Sequence, residues 1–149
     1  VNSFLLCAQR IEGDGIAEFA HCPTSHTVAL EDGTYCYCTL RSDMPFEEYL
    51  PRAVQAQQAA QQARCVEDGE EEAGSLIFIS TLPWFSYESL IQPVPAPADS
   101  NPRITWGRYT REGGRVRMPV TALCHHALVD GLHLARFYEA LEAHCRGLL

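Results

Sequence analysis

The chain has 149 residues, 46% of them hydrophobic and 20% charged, with a formal net charge of −8. This length and apolar content suit a single domain over residues 1–149 with a sizeable core, and they exclude a disordered chain. No apolar run approaches the roughly 20 residues of a membrane-spanning helix, so an integral membrane protein is excluded too.

The first 40 residues read as short strands. Phe4–Ala8 is an apolar run that has no basic leader and is too short for a signal peptide. Gly13-Asp14-Gly15 signals a turn before a second strand, Ile16–Ala20. His26–Leu30 and Tyr35–Leu40 follow, broken by Glu31-Asp32-Gly33. Ser42 or Asp43 then caps a helix with Pro45, Glu47 and Glu48 in its first turn. That helix runs through an Ala/Gln-rich stretch towards Cys65, with Pro51 as its expected break point. Its apolar face (Phe46, Leu50, Ala53, Val54) is narrow, which places it on the surface. Glu67–Glu72 reads as a solvated acidic loop.

Ser75–Ser80 is again a strand. Four prolines in residues 93–102 exclude a helix there and mark an ordered loop or linker. Ile104–Arg111 and Arg115–Cys124 form a hairpin around Glu112-Gly113-Gly114. From Asp130 to about Cys145, apolar residues at 132, 134, 137, 138 and 141 fit an amphipathic helix. Strands outnumber helices without regular alternation, so the class is α+β, with a mostly β sheet and helices on one face.

All 11 basic residues are arginine. Residues 1–100 carry 4 Arg against 15 acids, and residues 101–149 carry 7 Arg against 4 acids. An acidic chain repels a polyphosphate backbone, so nucleic acid is not the partner, whereas the basic last third suits either a small anionic ligand or plain solvation. Seven cysteines (7, 22, 36, 38, 65, 124, 145) without a secretory leader read as free thiols in a reducing cytoplasm. His21-Cys22 and Cys36-x-Cys38 lie close in sequence, but no C-x-x-C pair exists and strand neighbours point to opposite faces, so no metal is expected. The chain begins at Val1 rather than methionine, as a processed or shortened piece of a longer protein would.

In the second hairpin strand, Val116, Met118, Val120, Ala122, Cys124 and His126 share one face if the strand persists. An imidazole leaving on an apolar face stays neutral, and a neutral imidazole is what a general base requires. A satisfied core histidine followed by an ordinary helix cap at Asp130 fits the same periodicity.

The text His125-His126-Ala127-Leu128-Val129-Asp130-Gly131, of the form H-H-x-x-x-D-G, resembles the active-site signature of the CoA-dependent acyltransferases. That short motif recurs in chloramphenicol acetyltransferases, dihydrolipoyl acyltransferase cores and peptide-synthetase condensation domains. Ile104–Tyr109, the Glu-Gly-Gly turn, Met118-Pro119, Asp130–Phe137 and Phe78–Trp84 narrow the resemblance to the chloramphenicol acetyltransferase family, most strongly from about residue 75 onward. The resemblance implies a two-layer α+β sandwich with a mixed, mostly antiparallel sheet. It also implies acetyl transfer from acetyl-CoA to a small-molecule hydroxyl acceptor, with a chloramphenicol-type antibiotic first among acceptors. His126 would be the base, Ser80 the oxyanion donor, Thr105 a holder of the tetrahedral intermediate through water, and Asp130 a structural residue orienting the histidine loop. Trp84, Arg108 and Tyr109 would line the CoA channel, and Leu90 and Gln92 the acceptor pocket, where the family has an aromatic and an aliphatic residue. The resemblance further implies a homotrimer whose sites take His126 from one subunit and Ser80 with Thr105 from its neighbour. The family's N-terminal segment, which supplies the arginine partner of the motif's aspartate, has no counterpart here, so Asp130 is expected to lack that partner. A related acyltransferase with another acceptor, and a non-catalytic trimeric remnant, are the alternative readings.

Overall fold

A computed structural model describes residues 8–64 and 73–147. The expected strand at 4–8 and the acidic loop at 67–72 thus fall almost wholly outside the described residues. The first described strand, β1 (Gln9–Glu12), forms a hairpin with β2 (Gly15–Glu18), with Gly13 in the turn at φ 56°. The five-stranded sheet follows the order β4 (Tyr35–Leu40), β3 (Thr24–Ala29), β5 (Ile77–Leu82), β6 (Arg103–Gly107), β9 (Val120–Leu123). Its outer pairings are antiparallel and its two central ones, β3–β5 and β5–β6, are parallel. The architecture is α+β with a mixed sheet, as expected.

The long hairpin proposed over 104–124 is two shorter ladders. The inner rungs pair β6 with β9, and the outer ones pair β7 (Thr110–Glu112) with β8 (Arg115–Arg117). The ladder breaks at Arg108-Tyr109 on one side and Met118-Pro119 on the other, because Pro119 has no N–H to donate. Helix α1 spans Phe46–Ala63 and runs through Pro51 unbroken. Its N-cap is Pro45, with no side-chain hydrogen bond, so neither Ser42 nor Asp43 caps it. Helix α2 spans Gly131–Gly147.

Side chains alternate across the sheet, so register sorts them into two faces. One face carries Cys36, Cys38 and Val28, packed with Ala56 and Ala60 of α1. The same face continues through Ile77, Ile79 and Ile104, which form the sheet wall of a cavity of about 540 Å³ opposite Phe137, Ala140 and Leu141 of α2. Both helices therefore cover one face, as the class predicts. The other face carries Phe78, Ser80, Thr105 and Thr121.

The proline-rich loop before β6 is held by buried polar side chains. Ser100 accepts from the Ile11 N–H at 2.8 Å, and the Asn101 amide donates to the carbonyls of Ala73 and Leu76 at 2.8 Å each. Arg10, 1% exposed, donates to Leu76 O at 2.9 Å and Ser75 O at 3.2 Å. These bonds fix where β5 begins.

Gly107 ends β6 where space is shortest. A Cβ built there would lie 3.0 Å from Phe85 O, Pro119 Cγ and Tyr87 Cδ1 alike. Gly107→Ala is expected to destabilise the fold by about 1–3 kcal/mol, as overpacking does. Chemical denaturation checks this, and a variant as stable as the parent contradicts it.

Candidate active site

Ser80 and Thr105 are brought together as paired residues of the parallel strands β5 and β6. Thr105 in turn pairs with Thr121 on β9, so three hydroxyl side chains form a row across the helix-free face. Strands lie about 4.8 Å apart, so the three side chains are cross-strand neighbours. Thr105 is buried at 4% exposure and Ser80 is half-buried.

His126 is not where alternation puts it. Strand β9 ends at Leu123, and the chain turns so that Leu128 N and Val129 N both donate to His125 O. His126 is exposed rather than carried onto the apolar face. Its Nδ1 lies 3.1 Å from Val129 O. A carbonyl oxygen only accepts, so this contact requires the proton on Nδ1 and leaves Nε2 as the basic nitrogen of the neutral ring. β9 runs antiparallel to β6, with Thr121 opposite Thr105 and Leu123 opposite Arg103. The strand thus carries the chain away from Ser80 and Thr105 before it reaches His126.

Asp130 is expected to lack the family's arginine partner, which would make it costly to bury. Instead it is exposed and caps α2, its Oδ1 accepting from His133 N at 3.0 Å. His133 Nδ1 stands 2.9 Å from the same oxygen and 3.2 Å from Asp130 N; protonated it donates to the carboxylate, unprotonated it accepts from the N–H. The backbone hydrogen bond from His133, with the cationic form of that ring, holds the Asp130 carboxyl below the ordinary carboxylate value.

Trp84, Arg108 and Tyr109 follow the C-terminal ends of β5 and β6, which end as the pair Leu82–Gly107. Arg108 N donates to Phe85 O at 2.8 Å, tying the two loops together. All three side chains are exposed, Trp84 at 66%, so neither aromatic is a core residue. Gln92 Nε2 donates to Arg103 O at 3.4 Å, and Leu90 is half-buried. Cys124 and Cys22 have their thiols pushed up by burial, which makes them poor nucleophiles.

Sequence reasoning missed Arg10, Asn101 and Tyr87. Tyr87 sits in the loop after β5; its hydroxyl donates to Thr105 O at 2.9 Å and accepts from Thr121 Oγ1 at 3.1 Å. An isolated tyrosine in a loop carries no pattern that would have singled it out.

The fold is that of the two-layer acetyltransferases. The chain superposes on a solved chloramphenicol acetyltransferase with a TM-score of 0.78, at 22% identity, covering 94% of this chain and 69% of that one. It superposes on the dihydrolipoamide acetyltransferase of Azotobacter vinelandii with a TM-score of 0.69, at 15% identity, covering 93% and 60%. The family pattern described as chloramphenicol acetyltransferase matches residues 16–142, and the chain belongs to that family. In sequence it is 38% identical over 72 residues to chloramphenicol acetyltransferase 2 and 39% identical over 72 residues to chloramphenicol acetyltransferase 3, both of Escherichia coli. Each alignment covers 48% of this chain and 34% of the relative, so the matched segment spans about a third of those proteins.

Arg103 enters β6 paired with Asp99 by two hydrogen bonds of 2.7 Å. That guanidinium holds the Asp99 carboxyl below its ordinary value. A depressed carboxylate stabilises the fold fully above its unfolded value, about 4, and loses that contribution as pH falls through the lower folded value. Asp99→Asn is expected to cost roughly 1 kcal/mol or less at neutral pH, given partial solvent screening. It should also flatten the fall of thermal stability below about pH 4. An unchanged acid limb contradicts the assignment.

Proposed function

We propose that the chain is an acetyl-CoA-dependent O-acetyltransferase with His126 as general base. The observation that carries this reading is the 3.1 Å contact between His126 Nδ1 and Val129 O, which favours the proton on Nδ1. Nε2 is thereby available to take a proton from an acceptor hydroxyl. The deprotonated oxygen attacks the thioester carbonyl carbon of acetyl-CoA, and the negative charge moves to the carbonyl oxygen. The Ser80 hydroxyl donates to that oxyanion, and Thr105 beside it holds the tetrahedral intermediate through water. Collapse breaks the C–S bond, the acetyl ester leaves, and the proton on His126 returns to the CoA sulfur. Asp130 moves no proton; it caps α2 just after the turn that carries His126.

Trp84, Arg108 and Tyr109 are the residues we assign to CoA. Two exposed aromatic rings and a cation at the ends of β5 and β6 suit an adenine and its phosphates. Leu90 and Gln92 are assigned to the acceptor pocket, with a chloramphenicol-type hydroxyl as the first acceptor. The family resemblance, supported by β9 running past Thr105 before the turn that carries His126, leads us to assign a complete site to two copies of a homotrimer, the histidine from one and the hydroxyls from the other. A second reading is a trimer that binds CoA without turnover.

Acetyl-CoA turnover with chloramphenicol tests the first reading. His126→Ala should lower the rate by about 10²–10⁴-fold, and Ser80→Ala by on the order of 10²–10³-fold. Turnover indifferent to His126→Ala refutes the base, and CoA binding without turnover on any hydroxyl supports the second reading.

A further inference from the structure

Gly107 and Tyr87 make an arrangement that the assigned site does not use. With no Cβ at Gly107, the Tyr87 ring comes against the strand, Cδ1 standing 3.0 Å from where that Cβ would be. Gly107 lies two residues after Thr105 on β6, so it belongs to the same face as Ser80, Thr105 and Thr121. From there the Tyr87 hydroxyl reaches the row. It donates to the Thr105 carbonyl at 2.9 Å and accepts the Thr121 hydroxyl proton at 3.1 Å. A hydroxyl has one proton, so the Tyr87 proton is committed to Thr105 O and the Thr121 proton to the Tyr87 oxygen. One loop side chain thus ties β6 to β9 at the level of Ser80 and fixes a rotor that would otherwise turn freely.

We propose that Tyr87 is a positioning residue for acyl transfer, its hydroxyl locking Thr105 and Thr121 so that the row holds one geometry while charge develops beside Ser80. This rests on reading Ser80 and Thr105 as the oxyanion side of the site. The ring is a packing element and the hydroxyl is the functional one, so the two separate by substitution. Tyr87→Phe keeps the ring over Gly107 and removes only the latch. Thr121→Val removes the other partner, and Thr121→Ser preserves it.

The experiment compares steady-state acetyl transfer and thermal midpoints for the parent, Tyr87→Phe, Thr121→Val, Thr121→Ser and the Tyr87→Phe/Thr121→Val pair, with His126→Ala as reference. Tyr87→Phe and Thr121→Val are each expected to lower kcat by roughly 10- to 100-fold, as small misplacements of a site do. KM for acetyl-CoA and the thermal midpoint should stay near the parent's. The pair should be no worse than Tyr87→Phe alone, because that change already removes both bonds of the Tyr87 hydroxyl, and Thr121→Ser should retain activity. A Tyr87→Phe variant with parental kcat, or losses that multiply in the pair, overturns the proposal while leaving the base reading intact. A parent without turnover, or one indifferent to His126→Ala, overturns the base reading and this inference with it.

Discussion

The carbonyl of Leu76 is the point on which the rest of the structure hangs. It is wholly buried and accepts from two side chains, Arg10 at 2.9 Å and Asn101 at 2.8 Å. Arg10 belongs to the first hairpin and Asn101 to the loop that feeds β6, so one acceptor joins three distant stretches of chain. β5 starts at the next residue, Ile77, and the position of Ser80 along the sheet follows from it. A buried guanidinium is costly unless its donors are engaged, and Arg10 donates to the carbonyls of Gln9, Ser75 and Leu76. The apolar core is modest: Val28, Cys36, Cys38, Leu76 and Val129 are the buried hydrophobic residues among those described. Polar anchoring therefore carries an unusual share of the order around β5 and β6.

That anchoring divides the sheet into two faces with separate tasks. One face takes both helices and provides the apolar packing. The other is left to a row of small hydroxyl side chains, with Tyr87 laid against the glycine at the end of β6. The histidine turn lies beyond the far end of β9, where the chain leaves the sheet to begin α2. His126, the proposed base, thus follows the end of β9, whereas Ser80 and Thr105 are paired within the sheet. A site that needs both is most simply completed by a second copy.

Much of this was legible in the sequence because it depends on local pattern. Tyr35–Leu40 alternates and forms β4 over those same residues. The apolar spacing after Asp130 gives α2, and the glycine pairs give the turns. Gln9–Glu12 carries no apolar run, and it owes its place as a strand to pairing with Gly15–Glu18 and to Arg10 reaching inward. His126 was misplaced by extending alternation past the end of the ladder, where the turn at 125–129 takes over. Asp130 is held by its neighbour three residues on, His133, a local contact the resemblance does not indicate. Arg10, Asn101 and Tyr87 were invisible because each acts through backbone carbonyls or one hydroxyl far away in sequence, and no spacing encodes such bonds.

Co-expressing His126→Ala chains with Ser80→Ala chains and assaying purified mixed oligomers shows whether His126 and the Ser80–Thr105 hydroxyls meet across two copies. Each variant alone should be nearly inactive. If sites are shared, random mixing rebuilds an intact site wherever a Ser80→Ala chain lends its histidine to a His126→Ala neighbour, which restores about a quarter of the parental sites in a closed cyclic assembly. Mixed oligomers no more active than either variant alone would contradict the account.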